Sequence, residues 1–252
     1  MLQKLIIKIN YVMLMRISIK FFPLNFDDYI FNKYDIQGMI YSTAFTGGIT
    51  NMHDGNKFRF FTFSDVFPFN FVQKNTLYNM IISSPDVSFI DTIFGVLNKE
   101  NYFYLSDIKF RIAEIKKFDL PLTKNFITGS PVVLYKDNKQ NKYFSLKRQD
   151  PVTFFLRRIK ENAVKKFNAF FNEDININHL IFDRLKFHKE ISLLLKKRGR
   201  EFNIIGTMWY NLELTRLNKK EIKFYKFIMD AGIGEKNSLG FGFLNPVRQI
   251  GQ

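Results

Sequence analysis

The chain has 252 residues, 46% of them hydrophobic and 31 of them Phe, enough for one large domain or two of about 100–150 residues each. Its 38 Lys and Arg against 23 Asp and Glu give a formal charge of +15, which selects a polyanion as partner, although AT-rich codons also raise Lys, Asn, Ile and Phe. Cysteine is absent, which excludes disulfides, thiolate metal sites and cysteine nucleophiles and fits a reducing cytoplasm.

The first apolar run is broken by Lys4, Lys8, Asn10 and Arg16, too soon for the roughly 20 apolar residues of a membrane span. No signal peptide is expected, because no long apolar stretch with a small-residue cleavage site follows. Met15-Arg16 has the look of a second start, and residues 1–14 are expected to be an extension outside the fold. Residues 15–22 alternate, with Ile17, Ile19 and Phe21 against Arg16, Ser18 and Lys20, which predicts a half-buried strand ended by Pro23. Asn25, Asp27 and Asp28 are the predicted caps of a helix to about Phe45, broken by Gly47-Gly48. Strands are predicted over 58–64 and 75–84. Ser84-Pro85-Asp86 opens a helix through Leu97, and a long strand runs over 101–117. The order is βαββαβ, a ferredoxin-like arrangement.

Residues 121–125 read as a linker. A strand over 126–135 contains Ser130-Pro131, a polar turn covers 136–142, and a short strand returns over 143–146. Asp150 is the predicted cap of a helix to about Asn172, with Pro151 in its first turn. Two strands, 181–187 and 191–197, precede the basic turn Lys196-Lys197-Arg198-Gly199-Arg200, and another strand spans 201–214. A helix over 219–231, a glycine-rich stretch and a last strand over 241–247 complete a second, decorated set. The fold class is therefore α+β, with two tandem ferredoxin-like, RRM-like domains over 15–120 and 126–252.

The glycine-rich stretch, residues 232–242, reads G-I-G-E-K-N-S-L-G-F-G and holds four of the chain's 13 glycines. Gly232 stands where a helix C-cap takes a left-handed residue, and Gly234, Gly240 and Gly242 let a backbone pass close to a neighbour. Exposed N–H groups in such a loop can cradle a phosphate. The stretch lacks the Lys-Ser/Thr ending of a Walker A loop and the strand-then-helix order of a dinucleotide fingerprint. The plain alternative is a loop that closes a tight helix–strand connection. Of the three histidines, no two are spaced as metal ligands on a helix face, so no metal and no other cofactor is expected. His53 is the informative one, in the polar loop 47–55.

G-x-G-E-K-N-S-x-G-F-G near the C-terminal end resembles the glycine-rich signature of the CRISPR-associated repeat-RNA-processing endoribonucleases, within the repeat-associated mysterious protein superfamily. Residues 37–42, the His53-Asp54 pair and the run 57–64 resemble the N-terminal motifs of the same family in order and spacing. The resemblance covers nearly residues 15–247, and Ser130-Pro131 alone stands out in its middle. It implies two ferredoxin-like folds side by side, with RNA lying across both. The family's catalytic histidine carries over to His53 and its catalytic tyrosine to Tyr41. Its catalytic cation falls on Arg59 by spacing, but Lys57 lies two residues earlier on the same face of a strand, and the choice stays open.

The family cuts RNA without a metal, with the substrate's own 2′-hydroxyl as nucleophile. A histidine moves protons at neutral pH, a tyrosine hydroxyl donates to a phosphate oxygen or positions the 2′-OH, and a cation offsets transition-state charge. The resemblance implies RNA contact along the glycine stretch, Lys236, Asn237 and Ser238 included. The basic turn 196–200 and the helix face carrying Arg157, Arg158, Lys160, Lys165 and Lys166 add candidates of their own. Implied partners are a CRISPR repeat transcript and a CRISPR effector complex, with the chain a monomer or homodimer and no membrane involved. Two rivals stand: a guide-RNA-binding subunit of the same superfamily without activity, and a general RNA-binding protein with RRM-like sheets, whose basic-Gly-aromatic motif is not found here.

Overall fold

The computed structural model describes residues 15–24, 29–50, 58–69, 71–197 and 200–247, without the side chains of Met15, Lys196, Lys197 and Arg200. Residues 1–14 and the predicted caps Asn25, Asp27 and Asp28 lie outside the described residues. The first half runs β1 (Met15–Pro23), α1 (Lys33–Thr46), β2 (Thr62–Phe63), β3 (Tyr78–Ser84), α2 (Val87–Glu100), β4 (Tyr102–Leu105) and β5 (Ile108–Phe118). Its antiparallel sheet has the order β2-β3-β1-β5-β4. The alternation of β1 puts Ile17, Ile19 and Phe21 in the core beside Met80 and Ile82 of β3.

The second half runs β6 (Asn125–Thr128), β7 (Tyr135–Asp137), β8 (Lys142–Tyr143), α3 (Val152–Phe171), β9 (Arg184–Lys197), β10 (Arg200–Glu213), α4 (Ile222–Ala231) and β11 (Leu244–Val247). Its sheet has the order β11-β6-β10-β9, also antiparallel, and β7–β8 is a hairpin inserted before α3. In both sheets the first strand of the βαββαβ set lies between the third and fourth, the ferredoxin-like order, with β4 as an addition to the first. Phe155, Ile159, Ala163 and Phe167 of α3 meet Phe224, Phe227 and Ile228 of α4 and Trp209 of β10 in a second core.

Several boundaries move. Helix α1 starts at Lys33, capped by Asn32, whose side chain accepts from the Tyr34 N–H at 2.9 Å. The predicted strand 101–117 is a hairpin, because Ser106 takes φ 51° and turns the chain between β4 and β5. The predicted strand 126–135 breaks where the Ser130 hydroxyl accepts from the Phe243 N–H at 2.9 Å. Asp150 does not cap α3; Pro151 occupies that position, and the Asp150 carboxylate accepts from the Ser145 N–H at 2.9 Å and from Lys136 at 2.5 Å. The two predicted strands before the basic turn are one, β9, since β10 pairs with Lys189 and Glu190 and resumes at Phe187 across a register shift at residue 188.

The halves are joined by a buried polar cluster. Arg16 of β1 is unexposed and donates through Nη2 to the Met229 carbonyl at 2.7 Å and through Nη1 to Asn245 Oδ1 at 3.3 Å. Its Nε faces Asp230 Oδ1 at 3.3 Å, and Ser83 of β3 donates to the same oxygen at 3.1 Å. Burial pushes both ionised groups toward neutrality, Asp230 up to about 7 and Arg16 downward, while their mutual attraction opposes this. Phe60, just before β2, adds an apolar seam, its ring 4.9 Å from that of Phe170 in α3.

Candidate functional site

The glycine stretch follows α4 and crosses into the first half. Gly232 takes φ 78° and ψ 163°, an extended conformation essentially reserved for glycine rather than the left-handed cap predicted from sequence. Gly240 and Gly242 also have positive φ and leave no room for a Cβ, which would meet the Phe63 ring at 2.2 Å and the Ile233 carbonyl oxygen at 1.8 Å respectively. So the glycines serve close packing, and all four are buried.

Three side chains hold the stretch in place. Lys166 of α3 is 3% exposed and donates to the Gly232 carbonyl at 2.6 Å, Asn237 Oδ1 at 2.7 Å and the Gly234 carbonyl at 3.3 Å. Three acceptors match the three donors of an ammonium. Desolvation pulls its pKa down to about 7, against the attraction of Glu235. The sequence places Lys166 with Lys165 on an exposed basic face; in the fold it falls instead on the apolar stripe of Phe155, Ile159, Ala163 and Phe167. Asn237 turns inward, its Nδ2 donating at 2.9 Å to the carbonyls of Ile233 and Phe241. Lys33 of α1 donates to the Gly240 carbonyl at 2.8 Å and to Asp65 at 2.6 Å.

This scaffold lays the stretch against α1 and β2. Gln37 of α1 donates to the Ser238 carbonyl at 2.8 Å, and Thr62 of β2 donates to the Phe241 carbonyl at 3.1 Å. Those two elements bracket the predicted catalytic segment. Tyr41 sits one helical turn beyond Gln37, half-buried, its ring 5.9 Å from Phe61. Arg59, half-buried, lies two residues before Phe61. His53 and Lys57 lie outside the described residues, in the stretch between Thr50 and Phe58.

The other candidates spread over the second half. Arg158 of α3 donates to Glu235 of the glycine stretch at 2.6 Å, and Glu235 also accepts from the Tyr135 N–H. Arg157 is exposed and 3.7 Å from Glu161. Lys160 is half-buried, Lys165 exposed, and the Lys165 ammonium stands 5.9 Å from the Phe58 ring. Lys236 lies over the Tyr135 ring at 5.2 Å, and Ser238 is half-buried. Lys197 pairs with Arg200, and Lys196 with Glu201, at the end of the long β9–β10 hairpin, while Arg198 lies outside the described residues. Among the described residues no three His, Asp or Glu side chains come together as a metal-binding group, and no helix is long and apolar enough to cross a membrane. Sequence reasoning singled out Gln37 only as the first residue of the 37–42 motif, and it missed Lys33 and the structural use of Lys166. Of the two missed, Lys166 alone left a signal, its position on the apolar period of α3.

The comparisons agree with this architecture. The family model for CRISPR associated protein Cas6, C-terminal, matches residues 114–246. Two Methanocaldococcus jannaschii proteins, CRISPR-associated endoribonuclease Cas6 2 and Cas6 1, are 44% and 26% identical to the chain. They cover 86% and 94% of it, and the matches span 92% and 95% of the relatives. A solved structure described as CRISPR associated protein Cas6 shares the fold with a TM-score of 0.69 at 23% identity, over 93% of this chain and all of that one. Another, described as an RAMP protein binding different RNA substrates, superposes with a TM-score of 0.70 at 21% identity, over 93% of this chain and all of that one. With a family model over more than half its length and a 44% identical relative, the chain belongs to the Cas6 family of CRISPR-associated proteins.

Proposed function

We propose that the chain is a cytoplasmic, metal-independent endoribonuclease that cuts CRISPR repeat RNA into guide RNAs. Its relatives carry the endoribonuclease name. The observation that carries the reading is the seating of the glycine stretch on α1 and β2, through Gln37–Ser238 and Thr62–Phe241. That seating supports one continuous surface, with Tyr41 and Arg59 on one side and the glycine stretch on the other. The domains are 15–120 and 126–252, and RNA lies across both.

In this reading the substrate 2′-oxygen attacks the adjacent phosphorus. His53 handles a proton of the exchange, taken from the 2′-OH or given to the departing 5′-oxygen. Tyr41 donates to a phosphate oxygen or orients the 2′-OH, and Lys57 or Arg59 offsets the added negative charge. The P–O5′ bond breaks, leaving a 5′-hydroxyl and a 2′,3′-cyclic phosphate. Lys236 and Ser238 of the glycine stretch, the α3 arginines and the β9–β10 hairpin hold the RNA, while the buried glycines and Asn237 keep the stretch in place.

The test pairs a variant with a modified substrate. His53→Ala should slow cleavage by about 10²–10⁴-fold while repeat RNA still binds. A single 2′-deoxy nucleotide upstream of the scissile phosphate should bind and stay uncut. Cleavage of that deoxy substrate at the normal rate overturns the 2′-OH mechanism. A wild-type chain that binds repeat RNA and never cuts it makes this the non-cleaving subunit.

A further inference from the structure

The open face of the first sheet, turned away from α1 and α2, carries aromatic and cationic side chains at its β4–β5 edge. Phe103, Leu105, Phe110 and Ile112 take the core side of that hairpin, so alternation turns Tyr102, Tyr104, Lys109 and Arg111 outward. Strand pairing sets them in two rows. Arg111 lies between Tyr102 of β4 and Phe22 of β1, and Lys109 lies opposite Tyr104. The Lys109 ammonium stands 3.9 Å from the Tyr102 ring and 5.7 Å from the Tyr104 ring, and the Arg111 guanidinium 5.9 Å from the Phe22 ring. The two tyrosine rings meet edge to face at 5.8 Å, and Tyr104 keeps half of its surface exposed.

Charge narrows the ligand. Among the described residues, Glu114 is the carboxylate on this face of β1, β4 and β5, and Lys20 at 2.6 Å and Lys116 both pair with it. Asp107 belongs to the turn beyond the two rows. With Lys109 and Arg111 added, the face is net cationic. An acidic peptide would satisfy these cations and leave the rings uncovered. Single-stranded RNA uses both, because every base has a π-face for an aromatic ring and every linkage a phosphate for a cation. From the tyrosines to Phe22 is two strand spacings, about 10 Å, with the cations between. The patch is remote from the proposed cut. Helix α1, which carries Tyr41, packs on the opposite face of the sheet, and Phe22 lies about 20 Å along β1 from Arg16 at the domain junction.

We propose that this face is a second RNA-binding site, which takes an unpaired stretch of the transcript outside the segment being cut. A base stacks on Tyr104, and Lys109 and Arg111 hold the adjoining phosphates. The identity of the ligand rests on the RNA-cleavage reading. The sequence lacks the basic-Gly-aromatic motif of an RRM, but the fold assembles aromatic rings and cations on an open sheet from the added strand β4 together with β5 and β1. Because this grip is separate from the cut, it keeps hold of the product that carries the stretch.

The experiment compares the shortest cleavable repeat RNA with the same RNA lengthened by about ten unpaired uridines on its 5′ or its 3′ side, within the usual span of a single-strand site. It uses the full chain as wild type, Tyr104→Thr and Arg111→Gln. Threonine keeps a strand-forming residue at the exposed position. One of the two extensions is expected to tighten wild-type binding by about tenfold or more. Tyr104→Thr should lose most of that gain, and Arg111→Gln should lower the log–log salt slope of the extended RNA by roughly 0.7. Both variants should cut the short RNA at the wild-type rate, which shows that they fold. Equal wild-type affinity for short and extended RNA, or a gain that survives Tyr104→Thr, overturns the proposal while cleavage of the short RNA stands. A glutamate peptide that displaces the extended RNA as well as a uridine tract of equal length does would overturn the choice of RNA over an acidic protein. A wild type that gains affinity from the extension but never cuts the short RNA keeps this site and removes the cleavage reading.

Discussion

Arg16, in the first strand of the fold, and Asp230, next to last in α4, face each other at 3.3 Å with neither side chain reached by solvent. They lie 214 residues apart in sequence and pin one ferredoxin-like half to the other. Removing one partner of a buried pair leaves an uncompensated charge, which costs about 3–5 kcal/mol. Arg16→Met should therefore lower unfolding stability by that amount near pH 8, and Arg16→Met with Asp230→Leu should recover part of it. Denaturant titration of the wild type and these two variants checks this. A single variant as stable as the wild type would mean that the pair contributes nothing to joining the halves.

Gly240→Ala and Gly242→Ala should each destabilise the fold, because the new methyl groups meet the Phe63 ring and the Ile233 carbonyl. Overpacking costs typically 1–3 kcal/mol, and positive φ adds strain. Gly95→Ala is the matched control: it lies within α2, nothing stands within 4 Å of its Cβ, and a gain of about 0.5–1 kcal/mol is expected. Thermal melts of the three variants decide the point. Alanine tolerated at 240 or 242 would reduce that glycine to a permissive connection.

Lys166 should make stability depend on pH in a defined window. Its pKa is about 7 in the folded chain against the ordinary lysine value of 10.5, so between these values the unfolded chain holds more protons. This contribution to stability therefore rises as pH increases from about 7 to about 10. Lys166→Met should lose that slope. It should also be less stable throughout by roughly 2–4 kcal/mol, because the Gly232 and Gly234 carbonyls and Asn237 Oδ1 lose their donor. Unfolding measured at several pH values tests both parts, and parallel pH profiles for the two chains contradict the first.

The long β9–β10 hairpin ends in the basic turn 196–200, proposed to hold RNA. Replacing Lys196, Lys197, Arg198 and Arg200 with Glu should weaken repeat-RNA binding and flatten its dependence on salt. Every phosphate that the turn no longer neutralises should lower the log–log slope by roughly 0.7–0.9. An unchanged slope would show that the turn is only a solvated tip.

Much of this architecture is legible in the residues. The alternation of residues 15–22, the helix opened by Ser84-Pro85-Asp86 and the helix running to about Asn172 each appear where sequence predicts them, since each is a local consequence of burial or capping. What the sequence hides is non-local. Nothing near Lys33 announces that it bends inward, and the place of Lys166 on the apolar period of α3 points to burial without naming its partners, because the carbonyls that both lysines reach, in a loop more than 60 residues away, come together only once the chain is folded. Arg16 likewise reads as the polar side of an amphipathic strand. Its burial comes from α4 and β11 closing over that side. The break inside 101–117 is marked only by Ser106-Asp107, a pair of turn-forming residue types between apolar runs with no glycine or proline beside it.

The anchoring of the glycine stretch also bears on the order in which the protein is made. Residues 232–242 are tied to Lys33, Gln37 and Thr62, which lie 179 to 207 residues upstream of their partners. A ribosome releases the first half long before the stretch emerges, so the β1–β5 sheet has time to fold while that surface still lacks its second wall. Truncated or still-tethered chains thus carry Tyr41 and Arg59 without the glycine stretch beside them. Residues proposed for RNA cleavage and those proposed to hold the RNA come together only when synthesis is almost finished.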